Sequence, residues 1–180
     1  MAKHALLVMD VQRVVVDRFP DPDYLPRLRT AIDTARGRGL PVIYVVVGFR
    51  PGYPEVSPRN KVFGGLTQSG AMAPGSQATE IHPDVAPEPG DVIITKRRVS
   101  AFAGSDLDVV LRAGEIDHLV LTGIATSGVV LSTVRQAADL DLGLTVLADG
   151  CLDSDPEVHR VLTEKVFPRQ ADVTTVADWK

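Results

Sequence analysis

The chain has one cysteine in 180 residues, Cys151. That excludes an internal disulfide and fits a reducing compartment, so a cytoplasmic location is expected. Basic residues are outnumbered, 19 Lys and Arg against 23 Asp and Glu, for a net charge of -4. The nearest thing to a basic patch is Lys96-Arg97-Arg98. It is too short for a phosphate-binding surface, so no nucleic-acid partner is expected. No apolar run approaches the roughly 20 residues of a membrane helix. The first residues, MAKHALLVMD, reach an acid too soon for the apolar core of a signal peptide. No membrane partner is expected. Histidine is absent between His4 and His82. No metal-ligand cluster or cofactor motif stands out, so no metal and no cofactor are expected. Internal repeats and low-complexity tracts are also missing.

What remains is a chain that is 44% hydrophobic, enough for one globular domain over residues 1–180 with a sizeable core. Its apolar residues fall in short continuous runs of the kind found in strands buried on both faces. These are 4–9 (HALLVM), 42–47 (VIYVVV), 92–95, 118–122, 144–148 and 172–176. Helical patterns lie between them. Residues 25–38 carry Leu25, Leu28, Ile32 and Ala35 at helical spacing behind turn signals at Asp21 to Asp23. Ser105 is the expected N-cap of a helix to Ala113, with Asp108 three residues on, close to a capping box. A further helix is expected from about Ser127 to Asp141, broken by Gly143, and another begins at Ser154 or Asp155 with Pro156 in its first turn. Strands alternating with helices predict an α/β fold, a parallel sheet covered on both faces.

Residues 48–77 break this rhythm. They are rich in Pro, Gly and Ser without a period, and a loop that long inside a compact domain is usually functional or disordered. Phe49, Arg50, Tyr53, Arg59 and Phe63 within it favour a pocket wall or a subunit interface. His118 and His159 read as a strand-start and a helix-surface residue, His82 as a rim residue without an evident partner, and Trp179 as a packing anchor.

In open α/β sheets, ligands bind outside the carboxyl ends of the strands. Asp10 ends the first strand, Lys96 the third, and Gly123 opens the turn after the fourth. Three polar features therefore meet on one rim. The stretch 118–135, HLVLTGIATSGVVLSTVR, runs from strand through that turn into a helix. Such a turn leaves backbone N–H groups without intrahelical partners, a place where negative charge is stabilised. The Asp10 and Lys96 pair has two readings on position alone: an ion pair that closes the rim, or an acid held ionised and oriented for proton transfer.

LLVMDVQ at 6–12, ITKRRVSAF at 94–102 and LTGIATSGVVLSTVRQAAD at 121–139 together resemble the isochorismatase-like hydrolase superfamily. The resemblance covers nearly the whole chain, including FRPGYPEV after the second strand. It implies a three-layer α/β/α fold whose six-stranded parallel sheet has the order 3-2-1-4-5-6, and a homodimer or homotetramer. It implies a hydrolase acting on a small molecule, with Asp10 as general acid/base and Lys96 as its partner. A cis peptide is implied at Ile124–Ala125, aiming the Ala125 and Val129 N–H groups at one point as an oxyanion hole. The matching segments supply Gln12, Phe49, Arg50, Tyr53, Arg98, Phe102, Ser127 and Gly128 as substrate-binding candidates. Arg98 and Arg50 suit substrate carboxylates, which a planar guanidinium pairs well.

One position departs from the pattern. Amidases that the chain resembles carry a nucleophilic cysteine at the sixth residue after the turn glycine, and here that residue is Val129. A valine cannot attack a carbonyl. Cys151, after the fifth strand, reads as a half-buried, inert thiol. Two readings stand. One is a hydrolase for a small, carboxylate-bearing molecule that uses Asp/Lys acid-base chemistry without a thiol. The other is a catalytically silent protein that binds a small ligand or serves as an oligomeric partner.

Overall fold

The computed structural model describes residues 3–70 and 72–179. Six parallel strands form one sheet in the order β3-β2-β1-β4-β5-β6. They are β1 (His4–Met9), β2 (Val42–Val47), β3 (Val92–Lys96), β4 (His118–Ile124), β5 (Gly143–Leu152) and β6 (Asp172–Thr174). The order and the all-parallel sense are those expected.

Alternation along β1 divides the core. Leu6 and Val8 point to one face, where α2 (Tyr24–Gly37) lays down Tyr24, Leu28, Ala31, Ile32 and Ala35. Ala5, Leu7 and Met9 point to the other, against α4 (Leu107–Ala113) and α5 (Leu131–Asp139). A strand covered on both faces has no polar side to show, which is why β1 and β2 read as unbroken apolar runs. Trp179 packs into the α2 side of the core, with the Arg38 guanidinium 4.8 Å above its ring. Single helical turns α1 (Arg13–Val16) and α3 (Leu66–Ser69) lie in the connections after β1 and β2. Among the described residues no helix is long and apolar enough to cross a membrane.

Several boundaries differ from expectation, each for a local reason. The helix expected from Ser127 opens instead with a wide π-type turn, Thr126–Val130, and ends at Asp139. Asp141, in the left-handed region at φ 59°, turns the chain, so Gly143 begins β5 rather than breaking the helix. The cap position of α4 falls one residue later than expected, on Asp106, which makes no side-chain bond; the Ser105 hydroxyl donates to the Ala101 carbonyl at 2.6 Å and accepts from the Leu107 amide at 3.4 Å. Asp155 does cap α6 (Pro156–Val161), accepting from the Glu157 and Val158 amides. The sixth strand stops short because the Val176 amide leaves the sheet for Asp149 Oδ1 at 2.7 Å.

Gly123 is the backbone requirement that sets the site. At φ 141°, its position brings β4 so close to β1 that a Cβ would lie 2.3 Å from the Met9 carbonyl oxygen. Gly123→Ala is therefore expected to cost more than about 2 kcal/mol, from a disallowed conformation and backbone overlap together. Urea unfolding of the variant against the wild type measures it.

Candidate active site

Asp10 follows β1 in the left-handed region, φ 57°, with its amide donating to the Val45 carbonyl at 2.8 Å. Lys96 is the last residue of β3, in register with Val47 of β2. Since β2 lies between β1 and β3, the two side chains meet across the end of that strand. Lys96 Nζ stands 2.9 Å from Asp10 Oδ2 and donates a second bond to the Arg98 carbonyl at 2.9 Å. The lysine is 1% exposed and the aspartate 8%. Asp10 Oδ1 is shielded from solvent and accepts no hydrogen bond among the described residues.

Burial dominates the electrostatics of this carboxyl. It pushes the Asp10 pKa up to about 6, against the opposing attraction and hydrogen bond of Lys96. With Oδ2 held by the ammonium, the oxygen left to carry the proton is Oδ1.

The third wall is the turn after β4. The Ile124–Ala125 peptide is cis. Gly128 and Val130 N–H donate to the Ala125 carbonyl, and Ser127 N–H donates to Asp153 Oδ2 at 2.7 Å. Thr126 Oγ1 is 2.8 Å from His159 Nδ1, so His159 anchors the turn to α6 rather than standing free on the helix surface. Asp10, Lys96, Ile124, Ala125, Gly128 and Val129 share the wall of one cleft of about 310 Å³. Apolar side chains, among them Phe19, Phe63 and Met72, line the rest. A concave, mostly apolar site with a few convergent polar groups is what a small-molecule pocket requires.

An isochorismatase-domain family model matches residues 4–178. The chain belongs to the isochorismatase family. It is 30% identical to an uncharacterized isochorismatase family protein, YwoC of Bacillus subtilis, over 93% of this chain and 87% of that one. A ureidoacrylate amidohydrolase of Caulobacter vibrioides is 35% identical over 85% of this chain and 74% of its own. The structure of N-carbamoylsarcosine amidase from Thermoplasma acidophilum superposes with a TM-score of 0.79 at 28% identity, covering 99% of each chain.

Within this isochorismatase-family fold, several residues picked from sequence lie away from the cleft. Gln12 is buried, and its amide is spent on backbone: Nε2 donates to the Val47 and Thr79 carbonyls and Oε1 accepts from Val47 N–H. Phe49 packs against both Tyr53 and Phe63, and Phe63 alone of the three reaches the cleft. Arg50 is exposed and ion-paired with Glu55 at 2.6 Å. Arg98 turns its guanidinium onto the carbonyls of Arg97 and Glu55. Phe102 packs against the α4–α5 side of the core, and Ser127 is exposed, using its amide on Asp153. Residues the sequence did not mark line the cleft instead: Val15, Arg18 and Phe19 from the segment after β1, and Val62 and Met72 from the long loop. Only tertiary folding brings these segments to the rim, and no spacing signals it.

Cys151 is more deeply buried than expected. It is 1% exposed, pairs with Gly123 across β5 and β4, and has its thiol pushed up to about 12 by burial. A thiol so rarely ionised is a poor nucleophile. Among the described residues no group of three His, Cys, Asp or Glu side chains is placed to hold a metal ion.

A carboxyl-carbon NMR titration is expected to find Asp10 ionising near 6. In Lys96→Met the midpoint moves higher, because the lowering influence is removed. The folded value lies above the unfolded 3.8, so ionising Asp10 opposes folding. That contribution makes stability fall as pH rises from 3.8 to about 6, and it is constant above.

Proposed function

We propose that this chain is a small-molecule hydrolase in which Asp10 moves the proton, Lys96 tunes and orients it, and no thiol takes part. In this reading the Ala125 and Val129 main-chain amides hydrogen-bond an oxygen of the bound substrate. The carrying observation is the asymmetry of the Asp10 carboxyl: Oδ2 is fixed by Lys96 while Oδ1 lacks a donor at the edge of the cleft. A carboxyl with a pKa near 6 is poised to give and recover a proton close to neutrality.

Valine at 129, where related amidases would carry their nucleophile, removes the acyl-enzyme route. The chemistry that fits best is hydrolysis of an enol ether on a small, carboxylate-bearing molecule. Asp10 delivers its proton to the vinylic carbon, leaving an oxocarbenium ion. Water adds to that centre and returns a proton to the Asp10 carboxylate. The hemiketal then collapses into a carbonyl product and a free alcohol.

A second reading is favoured by one observation, the aliphatic side chain of Val129 in the cleft wall: the site binds a ligand and does not turn it over. Assays of wild type, Asp10→Asn and Val129→Cys on isochorismate, ureidoacrylate and N-carbamoylsarcosine separate the two. The proposal expects isochorismate or another enol ether to be hydrolysed, with a loss of about 100- to 10,000-fold in Asp10→Asn. It also expects kcat/KM to fall as pH rises through about 6, since the protonated carboxyl is the active form. A silent wild type with amide hydrolysis appearing in Val129→Cys would establish the second reading.

A further inference from the structure

Among the described residues the cleft holds three charged side chains, and two of them neutralise each other. Lys96 is consumed by Asp10 and by the Arg98 carbonyl. The third is Arg18, two residues beyond α1, whose main-chain amide is fixed to the Val15 carbonyl at 3.1 Å. Its side chain is exposed at the cleft mouth, and none of the hydrogen bonds or ion pairs found among the described residues engages its guanidinium.

Arg18 also borders an adjoining hollow of about 190 Å³ that contains Asp21 and Asp153. Neither acid holds it. Asp21 is engaged by Arg27 at 2.7 Å and by the Asp23 amide. Asp153 accepts from the amides of Ser127 and Asp155. Those partners keep both carboxyls below the usual carboxylate range. The arginines nominated from sequence are, by contrast, committed to Glu55 or to backbone carbonyls.

We propose that Arg18 is the anion-recognising residue of the cleft. The substrate class is then a small, largely apolar or unsaturated molecule with one carboxylate, held at Arg18 while the group to be cleaved lies toward Asp10. This inference rests on the cleft being the active site. A guanidinium supplies charge and a planar donor pair to a carboxylate, and the apolar walls supply the remaining contact.

Benzoate and its neutral isostere benzamide are suitable probes, titrated into the intact protein at pH 7.5. The Met72 methyl NMR signal reports occupancy of the cleft. Wild type is expected to bind benzoate about ten-fold more tightly than benzamide, the ratio that one charge-assisted contact supplies. Arg18→Gln is expected to abolish that preference while leaving benzamide binding and the thermal midpoint unchanged, and Arg18→Lys to restore part of it. The inference is overturned if wild type shows no preference, or if the preference survives in Arg18→Gln. Binding is read without turnover, so the outcomes separate. Retained activity in Asp10→Asn would defeat the proposed chemistry and leave Arg18 selectivity standing, whereas preference surviving Arg18→Gln would defeat only the anchor.

Discussion

The organising constraint of this molecule is a buried ion pair closed across the end of a strand that contributes to neither partner. Asp10 and Lys96 both lie at carboxyl ends, β1 and β3, with β2 between them. Removing two charges from water is expensive, and removing one partner of such a pair leaves the other uncompensated, at a cost of about 3–5 kcal/mol. The pair therefore fixes the positions of the segments leaving β1 and β3 relative to each other. It also sets the acidity of the carboxyl, because burial outweighs the lysine's attraction and leaves the aspartate a weak acid rather than a permanent anion. Gly123 completes the arrangement by letting β4 approach Met9, so that the turn after β4 arrives beside Asp10.

Most of the sheet could be read from sequence, because a parallel strand covered on both faces announces itself as an unbroken apolar run. The boundaries that failed were set by competing hydrogen bonds. Ser105 turns its hydroxyl to Ala101 and stands one residue before the cap of α4, and the Val176 amide is drawn out of the sheet by Asp149. Strand order came from the family resemblance and not from periodicity. At the site, Asp10 and Lys96 were readable because each ends a strand. The cleft lining was not, since Arg18, Phe19, Val62 and Met72 come from irregular segments whose side-chain directions depend on packing. Arg50 and Arg98, picked from sequence, have their charge engaged in a consistent way. Charge could be seen along the chain, but that Glu55 and nearby carbonyls would absorb it could not.

Val129 and Cys151 have opposite characters. Val129 sits in the cleft wall and has no reactive atom, whereas Cys151 has one but is enclosed behind Gly123. A ureidoacrylate amidohydrolase and an N-carbamoylsarcosine amidase align with this chain along most of its length. The proposed chemistry asks something different of the Asp10–Lys96 pair and the turn after β4: a reaction that water can complete once a proton has been placed.

Thiol-independent catalysis is tested most directly by turnover in a chain with no thiol at all. Cys151→Ala, checked for a wild-type circular dichroism spectrum and assayed on the enol ether that wild type hydrolyses, is expected to keep its full kcat. A folded Cys151→Ala protein that has lost activity would contradict proton transfer by Asp10 alone and place the nucleophile at sulfur.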